Sequence, residues 1–150
     1  MRIAAILAAH DEAEHIGPVL EGLGPFGLHR VLVVDDGSSD ATGATAAAHG
    51  AEVLRLEPGQ GGGKGQAMRA GIARLRSDDF DFYLFLDADG QHDPVDLQRF
   101  LDHLAMHPDT DFLIGSRLLD RAKIPPKRWR TNALGTWTLG RIAGVTWEDS

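Results

Sequence analysis

The 150-residue chain contains no cysteine. Disulfide scaffolds, thiol nucleophiles, iron–sulfur clusters and thiolate zinc sites are therefore excluded together. Long apolar runs are lacking too, and none approaches the roughly 20 residues a membrane helix requires. The N-terminal stretch Met1 to Ala9 carries one arginine and runs straight into His10-Asp11-Glu12-Ala13-Glu14. A secretory leader needs a longer apolar segment and a small-residue cleavage site, so the segment reads as a strand and the chain as cytoplasmic. Positive charge is in deficit: the formal net charge is -7. That balance argues against general nucleic-acid binding.

The remaining composition, 43% apolar and 25% charged, is that of a soluble globular protein. A chain of this size buries enough surface to need no covalent staple, and residues 1–150 read as a single domain. The charge is unevenly spread. Residues 117–150 hold 7 basic and 3 acidic side chains, whereas residues 1–116 hold 19 acidic and 8 basic ones. Either an acidic, cation-binding half faces a basic segment suited to phosphates, or the basic segment is a solvated loop.

Apolar runs alternate with helical periods along most of the length. Strands are predicted at Ile3–Ala8, Val31–Val34, Glu52–Leu56, Phe82–Leu86 and Asp111–Gly115. Helices are predicted from Glu12 to about Gly22, Asp40–His49, Lys64–Arg76, Pro94 to about Met106, and Lys127–Arg141. Strands separated by helices of this length make βαβ units and a mostly parallel α/β sheet. Ligands in open sheets of this kind bind outside the carboxyl ends of the strands, which directs attention to the residues after each apolar run.

The second strand is followed by Asp35-Asp36-Gly37-Ser38-Ser39-Asp40. Adjacent carboxylates repel unless a positive or hydrogen-bonding group compensates them. They could accept hydrogen bonds from a nucleobase or ribose, or the cluster could be turn and helix-cap chemistry. After Phe82–Leu86 comes Asp87-Ala88-Asp89-Gly90-Gln91. Hard oxygen donors at this density suit Mg²⁺ or Mn²⁺, with substrate phosphates completing the coordination; the plainer alternative is a solvated turn. The run Gly59-Gln60-Gly61-Gly62-Gly63-Lys64-Gly65 could hold an anion with backbone amides and Lys64, or form a flexible loop. It is no ATPase P-loop, because glycine rather than Ser or Thr follows Lys64. Gly22–Gly27 satisfies G-x-G-x-x-G but follows a helix and precedes a strand, the reverse of the dinucleotide fingerprint. Arg117, at the end of the fifth predicted strand, is placed for bidentate phosphate contact.

These motifs, in this order over nearly the whole chain, resemble the family 2 inverting glycosyltransferases, and more narrowly the polyprenyl-phosphate sugar transferases. The resemblance implies a nucleotide-diphospho-sugar transferase fold of glycosyltransferase type A, with a Rossmann-like sheet. It implies transfer of a hexose from a GDP- or UDP-linked donor to a polyprenyl phosphate at the inner membrane surface, with Mg²⁺ or Mn²⁺. Carried over by position, Ala8, Asp11, Glu12, Asp35, Asp36 and Gly37 would surround the nucleoside, and Lys64, Asp87, Ala88, Arg117 and Arg128 would complete the donor site. Asp87, Asp89 and Gln91 would hold the metal. Asp89 and Arg117 would act on the leaving diphosphate, with Asp149 as base for a hydroxyl acceptor. The family's Pro-x-Tyr-Asn-Glu stands here as Ala8-Ala9-His10-Asp11-Glu12. Asp149-Ser150 resembles the start of a family segment Asp-x-x-x-Gly-Phe-Arg, so the domain is expected to be truncated at its C-terminal end. The alternatives are a family 2 transferase acting on a saccharide or other hydroxyl, and a sugar nucleotidyltransferase.

Overall fold

A computed structural model of the chain describes residues 1–57, 62–91 and 94–115. One compact unit spans Met1–Pro108, and a second begins at Asp109. In the first unit four strands, β1 (Ile3–Ala9), β2 (Arg30–Asp35), β3 (Glu52–Arg55) and β4 (Phe82–Asp87), alternate with helices α1 (Ile16–Leu23), α2 (Thr42–Ala48), α3 (Lys64–Leu75) and α4 (Pro94–Met106). All strand pairs are parallel, in the order β3-β2-β1-β4. The chain winds outward from β1 to β3, then returns to pair β4 on the other side of β1, so the order reverses between β1 and β4. In open sheets of this kind such a reversal is where ligands bind.

Strand alternation divides the core into two layers. Ala5, Leu7 and Ala9 of β1, with Val33 of β2, pack against Ile16, Leu20 and Leu23 of α1, Ala46 of α2 and Leu97 of α4. Ala4 and Ile6, with Leu32 and Val34, face Ala67 and Leu75 of α3 on the opposite side. Covered on both faces, β1 and β2 are therefore continuous apolar runs, as parallel central strands should be. β4 is only half-buried, at an edge of the described sheet.

Two expected elements differ. α1 begins at Ile16 rather than Glu12. Pro18 is tolerated in a first turn but would clash inside a helix begun at residue 12, and the amides of Glu12 and Ala13 are bonded to another loop instead. Residues 111–115, expected as a strand, adopt no regular element. Phe112 and Ile114 lie exposed there, so the burial that would stabilise a strand is not made. The rejected Gly22–Gly27 motif falls at the end of α1 and a single 3₁₀ turn, Gly24–Phe26, which Gly27 closes at φ 61°. The predicted helix Lys127–Arg141 lies outside the described residues.

Candidate functional site

Ladder register places the carboxyl ends of three neighbouring strands side by side: Ala8 of β1 lies opposite Asp87 of β4, and Ala9 lies opposite Asp35 of β2. The two adjacent aspartates after β2 have different environments. Asp35 is completely buried. Its Oδ1 accepts the Ser38 amide at 2.8 Å and its Oδ2 accepts Arg55 Nη1 at 2.9 Å. A Cβ added at Gly43 would stand 2.9 Å from that Oδ2, so glycine there makes room for the carboxylate. Asp36 is half-buried, and its Oδ1 is shielded from solvent with no hydrogen-bond partner among the described residues. Buried carboxylate oxygens are normally satisfied, so this atom is an acceptor kept open. Gly37, at φ 76°, supplies the left-handed turn between Asp36 and Ser38.

The loop after β1 is stitched to the loop after β2. Asp11 Oδ1 accepts the amides of Ser39 at 2.7 Å and Asp40 at 3.3 Å, and the Ser39 hydroxyl at 3.2 Å. The Asp11 amide donates to Ser38 Oγ, the Glu12 amide to Thr42 Oγ1, and the Ala13 amide to Asp40 Oδ2. Asp11 sits at φ 55°, a conformation that Asp and Asn adopt more readily than other side chains, so the aspartate fits where the family pattern has Asn. At the start of α2 the capping position is Ala41, which offers no acceptor. Asp40, one residue before it, accepts the Thr42 amide at 2.9 Å and the Thr42 hydroxyl.

These contacts set the local protonation. The Ser39 amide holds the Asp11 carboxyl below its usual value, against a smaller opposing effect of burial. The Thr42 hydroxyl does the same for Asp40, aided by the Thr42 and Ala13 amides. His10 Nδ1 donates to the Asp36 carbonyl at 2.9 Å, and Nε2 lies 3.6 Å from Asp11 Oδ2. The carbonyl contact, with the carboxylates of Asp11, Asp36 and Asp35, raises the His10 pKa. A raised histidine contributes stability below its unfolded value of 6.5, which is lost as pH rises through the folded value. The lowered Asp11 and Asp40 contribute above 3.8 and lose it as pH falls through their folded values. Thermal melts across pH should therefore decline above 6.5 and again in strong acid. His10→Ala should remove the first decline and Asp11→Ala should lessen the second.

At the end of β4, Asp87 Oδ1 is ion-paired with Lys64 Nζ at the start of α3. The Gln91 amide donates to Asp89 Oδ1 at 3.0 Å across a turn closed by Gly90 at φ 73°. The carboxylates of Asp87 and Asp89 and the side-chain oxygen of Gln91 are oxygen donors, a chemistry that would fit a hard divalent cation. Among the described residues, no three acidic or histidine side chains form a closed cage. Ala88 is buried in the layer of α1 and α4. Arg117, Arg128 and Asp149 lie outside the described residues. Sequence reasoning missed Arg55, although the requirement that something compensate Asp35-Asp36 was a signal for it.

A parallel 3-2-1-4 sheet with carboxylates gathered at its reversal point defines a nucleotide-binding α/β fold, here that of the type A glycosyltransferases. The glycosyl transferase family 2 model matches residues 5–147, and the chain belongs to that family. It is 33% identical over 139 residues to a polyprenol monophosphomannose synthase from Mycolicibacterium smegmatis, covering 86% of this chain and 50% of that protein. It is 34% identical over 128 residues to an undecaprenyl-phosphate mannosyltransferase from Micrococcus luteus, covering 83% and 51%. Among solved structures, glucosyl-3-phosphoglycerate synthase from Mycobacterium tuberculosis, in complex with Mn²⁺, UDP and glucosyl-3-phosphoglycerate, matches with a TM-score of 0.57 and 26% identity, covering 69% of this chain and 39% of that one. The chain spans about half the length of the curated relatives it matches. No helix among the described residues is long and apolar enough to cross a membrane.

Proposed function

We propose that this chain carries the donor site of an inverting glycosyltransferase that moves a hexose from a GDP- or UDP-linked sugar to a polyprenyl phosphate at the cytoplasmic membrane surface. The observation that carries the reading is the placement of Asp35-Asp36 and Asp87 at the carboxyl ends of β2 and β4, on either side of β1 where the sheet order reverses, with Lys64 paired to Asp87. The names of the mannosyltransferase relatives support the acceptor class.

In this reading the loops after β1 and β2, with Ala8, Asp11, Glu12 and Gly37, shape the nucleoside pocket. Asp36 Oδ1 accepts a hydrogen bond from base or ribose, while Asp35 keeps the turn in place. Lys64 brings positive charge to the donor diphosphate at a helix N-terminus, where anions are favoured. A divalent cation held by Asp87, Asp89 and Gln91 would neutralise charge developing on the leaving nucleoside diphosphate. Arg117 and Arg128 would face the donor diphosphate and the acceptor phosphate. The acceptor oxygen attacks the anomeric carbon from the face opposite the leaving group. A new C–O bond forms, the bond to the nucleoside diphosphate breaks, and the configuration inverts. A phosphate acceptor is already anionic, so no base is needed; a hydroxyl acceptor would use Asp149.

The likeness to a glucosyl-3-phosphoglycerate synthase favours a second reading, transfer to the hydroxyl of a small phosphorylated acceptor. Labelled donor sugar incubated with Mn²⁺, detergent-dispersed polyprenyl phosphate and 3-phosphoglycerate separates the two. Label entering the organic phase supports the lipid acceptor. Label on phosphoglycerate establishes the second reading, and label released only as free sugar contradicts both.

A further inference from the structure

We infer that Arg55 is a positioning residue of the nucleoside pocket, acting through the turn that presents Asp36; the inference rests on the donor-site reading above. Arg55 ends β3, directly across the ladder from Asp35. Its guanidinium grips the turn at both ends, with Nη1 on the buried Asp35 Oδ2 at 2.9 Å and Nη2 on the Ser38 carbonyl at 2.7 Å. The Ser38 amide closes the same turn onto Asp35 Oδ1, and the Leu56 amide holds the Asp35 carbonyl at 2.8 Å. Between the two gripped residues lie only Asp36 and Gly37. The direction of the open Asp36 Oδ1 is thus set by a turn whose two ends are fixed by one side chain from the neighbouring strand.

The fork matters as much as the charge. Lysine could neutralise Asp35, but a point ammonium cannot span the carboxylate and the Ser38 carbonyl in one planar arrangement. Arg55 is about half exposed, so its outer edge is wet while its inner contacts meet a carboxylate wholly out of solvent. Outright removal would leave that buried carboxylate without its cation, which threatens the fold. The informative variant is therefore Arg55→Lys.

The test is calorimetric titration of UDP and GDP, with Mn²⁺ present, into the wild-type chain, Arg55→Lys, Asp36→Ala and the double variant. Arg55→Lys is expected to stay folded by thermal melt and to weaken nucleotide binding by about tenfold, the scale of one charge-assisted hydrogen bond. In the Asp36→Ala background the same change should have no further effect, because the group it positions is gone. A merely structural arginine would weaken binding equally in both backgrounds, and that result, or unchanged binding in Arg55→Lys, overturns the inference alone. No nucleotide binding by the wild-type chain overturns the donor-site reading and the inference with it. Should the lysine variant melt below the assay temperature, Arg55→Gln with Asp35→Asn leaves no buried charge unpaired and carries the same comparison.

Discussion

Asp89→Ala should lower metal-dependent donor binding by about a hundredfold or more, close to 2.7 kcal/mol, while the fold survives. A divalent ion of the Mg²⁺ type keeps several waters and takes only one or two protein carboxylates, so losing one removes a large share of the protein's hold. Asp89 is half-buried in the turn after β4, and its bond to the Gln91 amide is local to that turn, so little packing depends on it. Asp87 is the less clean substitution, because it also holds Lys64. Calorimetry of nucleotide binding with and without Mn²⁺, beside a thermal melt of each variant, reads both quantities. Metal-dependent affinity unchanged in Asp89→Ala would remove this aspartate from the cation site.

Gly71→Ala should destabilise the chain by about 1–3 kcal/mol, although alanine is the better helix former by about 1 kcal/mol. Gly71 lies on the face of α3 that meets the sheet. A Cβ there would stand 2.6 Å from Ile6 Cγ2 and 3.2 Å from Val34 Cγ2. Ile6 and Val34 are fully buried in the centre of β1 and β2 and have nowhere to retreat. Either α3 lifts off the sheet or those side chains leave their rotamers, and both cost packing. Since α3 also carries Lys64, a lifted helix should loosen nucleotide binding in parallel. Urea unfolding measures the first effect; stability equal to or above the wild type would contradict the close packing of α3 on β1 and β2.

Strands β1, β2 and β4 were legible because each contains a continuous apolar run ending in a polar turn, and their alternation with helical periods specified a parallel sheet. The start of α1 was hidden by a tertiary effect: Ser38, Asp40 and Thr42 of a distant loop accept the amides of residues 11–13 and hold that stretch, with Asp11 at φ 55°, as a loop. The segment 111–115 had the apolar pattern of a strand, but a strand needs a ladder partner, which pattern alone does not supply. The acidic pairs were recognisable as a site, yet the sequence could not tell which of Asp35 and Asp36 faces inward. β2 is covered on both faces, so its side chains do not alternate between apolar and polar and give no sign of direction. That a positive or hydrogen-bonding group must compensate the pair was legible, but which one was not, for a related reason in the case of Arg55. It is one cation at a strand end, and only the register opposite Asp35 gives it a partner.

The central claim, that these strand ends bind a nucleoside diphosphate sugar through a divalent cation, is tested most directly by titrating GDP, UDP and their sugar conjugates into the wild-type chain with and without Mn²⁺. The account predicts saturable binding of one base, strengthened by the metal. Failure of both nucleotides to bind when the metal is present, in a chain shown by its melt to be folded, would contradict it.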